Sequence, residues 1–238
     1  MELESNVEYQ EYKPYFDREL EIINKAKEVF NRFGEVEKIY SKLNKKEKGK
    51  FLKICHFYYY RCCRFKTLDT GMILVAVTSS IEALISEVKY KSFIEWYSSE
   101  CEDKDSSVPE LWDSYIKIYG AAKKFVCFWE NFASNEDKKN FREKSWVMSP
   151  KIENQKKKYK KEDWTIQDAS KVLYKLRSLF VHNAEELPIS NHDESDGTTF
   201  LGSGFSIGDK HYFFGMTMDK FVPMFERGFI KYFEKVIK

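Results

Sequence analysis

The chain has 238 residues, 42% of them hydrophobic and 33% charged, which suits one large domain or one domain with an appended arm and excludes wholesale disorder. Its 40 basic and 38 acidic residues nearly cancel, so no global field points to nucleic acid or to a membrane surface, and any charge argument must be local. The 20 Phe, 15 Tyr and 5 Trp predict a core built from bulky rings.

Met1-Glu2-Leu3-Glu4-Ser5 is acidic and polar where a signal peptide needs basic and apolar residues, and the apolar run Met72 to Val77 is far too short to span a bilayer. No membrane role is expected, and the expected location is cytoplasmic. Cys55, Cys62, Cys63, Cys101 and Cys127 are odd in number and form no Cys-x-x-Cys pair, so they read as structural thiols.

Residues 17–43 predict a helix with Asp17 as N-cap and Leu20, Ile23, Ala26, Val29/Phe30 and Phe33 as its apolar stripe. Gly34 is placed to break it before a second piece through Val36, Ile39, Tyr40 and Leu43. Residues 46–66 predict another helix, with Phe51, Ile54, Cys55, Tyr58, Tyr59 and Cys62 inward. Asp69-Thr70 is expected to cap a third, from Gly71 to about Tyr90. Its apolar first half marks it as central, and its second half carries one conspicuous charge, Glu82. Pro109 fits the first turn of a helix running toward Tyr119, and Ala121 to Phe132 predicts the next, with Phe125, Phe128, Trp129 and Phe132 inward.

Ser149 to Lys161 is polar and basic without apolar period and reads as a surface loop. Trp164 to about Asn183 resumes the helical pattern through Val172/Leu173, Leu176 and Leu179/Phe180. The Gly-rich stretch Phe200 to Thr217, around Gly208-Asp209-Lys210, predicts a short β-hairpin. Asp219 is expected to cap a last helix over 220–237, with Phe221, Met224/Phe225, Phe229 and Phe233 inward. The expected class is all-α: about seven or eight helices with one small β-hairpin near the C-terminus.

The chemistry-bearing stretch is Leu173-Tyr174-Lys175-Leu176-Arg177-Ser178-Leu179-Phe180-Val181-His182-Asn183. An Arg followed by four residues and a His, late in an amphipathic helix, resembles the motif of the HEPN superfamily (higher eukaryotes and prokaryotes nucleotide-binding domains). Upstream, Ser80-Ile81-Glu82-Ala83-Leu84-Ile85 is similar to a signature of the Apea-like HEPN proteins. Downstream, Phe225-Glu226-Arg227-Gly228-Phe229 fits that family's order of elements. The resemblance covers residues 50–237 in scattered pieces. It implies a HEPN-like helical domain over residues 46–238, with 1–45 as a helical arm packing on it.

What the resemblance implies is a metal-independent endoribonuclease acting in defence or stress response, as toxins of this kind do. It also implies a homodimer with the cleft shared by two chains, and a protein partner that inhibits or activates it. Arg177 would stabilise the charge gathering on the phosphorane, His182 would transfer the proton, and Ser178 would help position the phosphate. Glu82 and Asn183 are supporting candidates, and Lys156, Lys157, Lys158, Lys160 and Lys161 are the local candidates for gripping RNA phosphates. No cofactor and no metal are expected.

Five residues along a straight helix turn two side chains apart by about 140° and separate them by about 7.5 Å. Arg177 and His182 can therefore meet at one phosphate only if the helix unwinds at His182 or if two copies meet across an axis. Ser178 and His182, four apart, share a face. The chain has Asn183 where Gly often follows the motif His, and Ser178 where Asn or Asp often follows the Arg. These departures support a second reading, a non-catalytic HEPN-like module that binds RNA or a protein. In the plainest reading Arg177 is a surface arginine, His182 caps the helix, and Glu82 is a buried charge with a structural partner. His56, His192 and His211 lack metal-ligand spacing, and Phe57-Tyr58-Tyr59-Tyr60-Arg61 reads as core.

Overall fold

A computed structural model describes residues 10–63, 70–85, 93–100, 107–153, 156–163, 165–183, 204–207, 210–214 and 217–238. Helix α1 covers residues 10–16. It is followed by α2 (Glu19–Phe30), α3 (Val36–Lys42), α4 (Lys45–Tyr58), α5 (Thr70–Leu84), α6 (Phe93–Glu100), α7 (Val108–Tyr119), α8 (Ala121–Phe132) and α9 (Asn135–Lys144). Strands β1 (Ser145–Glu153) and β2 (Lys156–Asp163), helix α10 (Ile166–Asn183), strands β3 (Gly204–Ile207) and β4 (Lys210–Phe214), and helix α11 (Met218–Val236) complete the order.

The architecture is mainly helical, as expected, with a sheet larger than the expected hairpin. The four strands form one antiparallel sheet in the order β2-β1-β4-β3. The β3–β4 hairpin is the expected one, with Ile207 opposite Lys210. The other half corrects the sequence reading: the stretch expected as a basic loop is a paired strand, with Trp146 opposite Asp163 and Glu153 opposite Lys156. Strand β1 also pairs with β4, Ser145 opposite Phe214. A lysine-rich segment has no apolar alternation to announce a strand, yet lysine suits the edge of a sheet, where it discourages further pairing. Helices α1, α6 and α9 are also additions to the expected set.

The core is organised by α11. Its Phe221, Phe225, Phe229 and Phe233 recur every fourth residue, lie on one stripe and are all fully buried. Phe221 meets Trp129 of α8 at 5.3 Å between ring centroids, Phe225 meets Tyr58 of α4 at 4.9 Å, and Phe229 stacks on Phe30 of α2 at 4.5 Å. Phe233 meets Phe51 of α4 edge-on at 5.0 Å. Gly228 lets the Phe128 ring lie against the α11 backbone, since a Cβ there would come within 2.7 Å of Phe128 Cζ. The same core takes Ile22, Ile23, Ala26 and Phe30 from α2, so residues before position 46 contribute to it directly. Leu20, expected on that stripe, is 75% exposed, and Ile22 takes its place.

Ends of helices follow local chemistry. Asn44 Oδ1 accepts from the Glu47 backbone N–H at 2.9 Å to start α4. Ser134 with Asp137, and Thr165 with Asp168, form reciprocal capping pairs at the starts of α9 and α10. Two expected caps are absent. Arg18 and Thr217 precede α2 and α11 without a side-chain cap, while Asp17 pairs with Lys13 and Asp219 lies inside the first turn. Asp69 lies outside the described residues. Beyond Tyr58, α4 widens into a π-helical stretch, Tyr59–Cys63.

Helices α6 and α7 build a second, smaller cluster of Trp96, Leu111 and Tyr115 with Phe93 and Tyr97. Among the described residues, no helix is long and apolar enough to cross a membrane.

Candidate functional site

Helix α10 carries the motif, and α8 and α5 position it. Val172, Leu173 and Leu176 face the core and are buried. The ring of Phe180 lies over Gly71 at the start of α5, where a Cβ would come within 2.3 Å of its Cε2. Helix α5 itself is buried through Ile73, Leu74, Ala76, Val77, Ile81 and Leu84. Its buried hydroxyls turn back on their own helix: Thr78 Oγ1 donates to the Leu74 carbonyl and Ser80 Oγ to the Ala76 carbonyl, each at 2.8 Å. That leaves Glu82 as the polar group α5 directs toward α10.

Arg177 is half-buried, and its guanidinium carbon sits 5.7 Å from the centroid of the Tyr174 ring, one helical turn earlier. Its Nε is sealed from solvent without a hydrogen-bond partner, and so is Oε1 of Glu82. Tyr174 connects them. Burial, and next the Glu82 carboxylate beside it, push the Tyr174 hydroxyl up to about 12, against the pull of Arg177 in the other direction. An acid, a phenol and a guanidinium from two helices are thus brought into one cluster.

Ser178 is half-buried and His182 is exposed. The helix stays regular through Asn183, so it does not unwind at His182. Within one chain, Arg177 and His182 therefore diverge by the helical angle of about 140°. Two apolar side chains beside the motif are turned to solvent, Val181 at 46% and Met72, next to Gly71, at 41%. The side chain of Asn183 lies outside the described residues. So do the side chains of Lys156, Lys157, Lys158, Lys160 and Lys161, whose backbone forms β2.

A comparison of the chain with protein-family models, curated proteins and solved structures found no match in any of the three. The functional reading therefore rests on the residues themselves.

Elsewhere in the interior, Tyr40 Oη, Glu47 Oε2, Trp129 Nε1 and Thr217 Oγ1 are likewise sealed without a hydrogen-bond partner, while several other polar groups have structural partners. Glu226 on α11 is fully buried, accepts from the Tyr58 hydroxyl at 3.0 Å, and is paired with Arg32. Asp137 of α9 accepts from Nε of Arg227 at 3.2 Å and from its Nη2, which ties α9 to α11. His56 is half-buried with Nε2 3.0 Å from Nη1 of Arg18, and burial, then Arg18, push its pKa down. Cys55 and Cys127 are free thiols, and burial raises Cys55 well above the usual thiol range. Among the described residues, no three His, Cys, Asp or Glu side chains are grouped to hold a metal ion.

Sequence reasoning missed Tyr174. It stood in the quoted stretch, and its spacing of three from Arg177 was the available signal.

Proposed function

We propose that this protein is a metal-independent endoribonuclease of the HEPN type. It cleaves RNA by attack of a ribose 2′-hydroxyl on the adjacent phosphate, in defence or stress response. The observation that carries the reading is a guanidinium with its Nε turned into the protein, and an exposed imidazole five residues on along the same helix. A permanently charged fork is suited to the anionic phosphorane, and an imidazole can move a proton at neutral pH. Ser178, on the His182 face of α10, would add a hydroxyl to the phosphate.

The regular helix through Asn183 supports a cleft built by two copies, because one copy cannot turn Arg177 and His182 to a single phosphorus. The exposed Val181 and Met72 beside the motif support the same arrangement, as apolar surface that a second chain would cover. The β2 lysines remain candidates for the RNA backbone on their charge alone, and a protein that inhibits or activates the enzyme belongs to the same proposal.

The test is incubation of the purified protein with total RNA and with tRNA in EDTA, beside His182→Ala. Cleavage by wild type alone, leaving 2′,3′-cyclic phosphate ends, is the expected result. Equal cleavage by His182→Ala would remove the assigned chemistry. RNA bound but uncut by both proteins would favour the second reading, a non-catalytic RNA-binding or protein-interaction module, to which Ser178 and Asn183 lend support.

A further inference from the structure

Arg177 owes its orientation to a neighbour that the motif does not contain. Its Nε is buried and makes no hydrogen bond, so no carboxylate or carbonyl holds that end of the guanidinium. What lies against the group is the Tyr174 ring, 5.7 Å from ring centroid to guanidinium carbon. Ring and guanidinium share a face of α10, three residues apart. Glu82 of α5 lies beside the same tyrosine, also with a sealed oxygen that no donor meets. Its carboxylate lies beside the Tyr174 hydroxyl, which keeps its proton through the whole physiological range.

We propose that Tyr174 is a positioning residue for Arg177. Fixed by Glu82, its ring holds the guanidinium with Nε turned into the protein and the terminal nitrogens left for a scissile phosphate. Glu82 thus acts on Arg177 through the tyrosine rather than by a direct ion pair. The arrangement keeps the full positive charge on Arg177 available, because a ring attracts a cation without neutralising it, whereas a paired carboxylate would cancel it. The proposal rests on the ribonuclease reading, and the experiment has one arm that depends on cleavage and one that does not.

The cleavage arm compares wild type, Tyr174→Phe and Tyr174→Leu under steady-state conditions. Tyr174→Leu removes the ring and is expected to lower kcat about tenfold with the RNA KM within about twofold, a loss in line with a desolvated cation–π contact. Tyr174→Phe keeps the ring and is expected to retain most of the rate. Equal losses in the two variants, or a loss confined to KM, would overturn the positioning role.

The second arm follows the side-chain Nε–Hε signals of the seven arginines by nitrogen-15 NMR, with Arg177 assigned from its disappearance in Arg177→Lys. In wild type and Tyr174→Phe its signal is expected to be shifted upfield by the ring. In Tyr174→Leu it is expected to move to the position of an unrestrained arginine, with the signals of the other arginines unchanged. An Arg177 signal indifferent to Tyr174→Leu overturns the proposal whether or not the protein cuts RNA. Absence of cleavage by wild type with the NMR change present removes the ribonuclease reading and leaves the positioning intact.

Discussion

Glu226 on α11 and Glu82 on α5 both enter the interior from a helix, and the fold treats them differently. Glu226 is fully buried, receives the Tyr58 hydroxyl on one oxygen and Arg32 on the other, and stands among the stacked rings of α2, α4 and α11. Glu82 has a sealed oxygen without a donor, and Arg177 has a sealed donor without an acceptor. A buried polar atom left unmatched is costly, and Tyr40, Glu47, Trp129 and Thr217 carry such atoms too; what sets Glu82 and Arg177 apart is that both lie beside Tyr174. The first carboxylate ties helices together. The second lies beside the residues on which the proposed chemistry depends.

The largest effect that would sharpen this contrast is expected from Arg32→Ala. It leaves the Glu226 charge buried without its cation and should cost about 3–5 kcal/mol in urea unfolding. A loss below about 1 kcal/mol would show that Tyr58 alone suffices for Glu226. Next comes Gly228→Ala, whose Cβ would meet the fully buried Phe128 ring at 2.7 Å. The tight packing around that ring predicts a loss of about 1–3 kcal/mol, again by urea unfolding.

Acid should reveal the α9–α11 tie. Burial alone would raise the Asp137 pKa, but the hydrogen bonds from Arg227 and Ser134 outweigh it and hold Asp137 below its ordinary 3.8. A carboxylate with a lowered folded pKa adds stability that is complete above the unfolded value and disappears as pH falls through the folded one. The urea midpoint is therefore expected to drop below about pH 4, and to drop less steeply in Arg227→Met. Identical acid profiles would remove this pair as the cause.

Glu82→Gln should have the smallest effect on stability, within about 1 kcal/mol, since it breaks no ion pair. RNA cleavage should stay close to that of Tyr174→Phe, because both changes act only on the contact at the Tyr174 hydroxyl. A stability loss as large as that of Arg32→Ala would break the comparison and make Glu82 a structural charge.

Much of the helical fold was legible in the chain. The stripe Phe221, Phe225, Phe229, Phe233 declared α11, and Ala121 to Phe132 and Pro109 to Tyr119 marked α8 and α7 closely. Such patterns are local, because residues three and four apart share a face. The failures were of two kinds. Leu20 and Ile22 lie on nearly opposite sides of α2, yet Leu20 has Ile23 three positions on and Ile22 has Ala26 four positions on, so periodicity alone did not say which would be covered. Strands β1 and β2 had no alternating pattern, because a strand is stabilised by its partners, and β1 takes one of them from β4, more than sixty residues away.

The candidate site was legible to the same extent. Arg177, Ser178, His182 and Glu82 could be named from residue type and spacing, with a resemblance to suggest their use. Spacing on one helix also predicted that Arg177 and His182 would diverge, and the regular α10 keeps them apart.

By itself, the sequence determined which stretches are amphipathic helices and which side chains are chemically suited to RNA cleavage, because both follow from residue identity and a fixed helical period. Only the tertiary structure decided that Glu82 comes beside Tyr174 and Arg177, that Glu226 receives both its partners, and that the lysine run becomes a strand. Those outcomes depend on which distant segments meet, and no local pattern in the chain encodes the burial or the partner of a single polar atom.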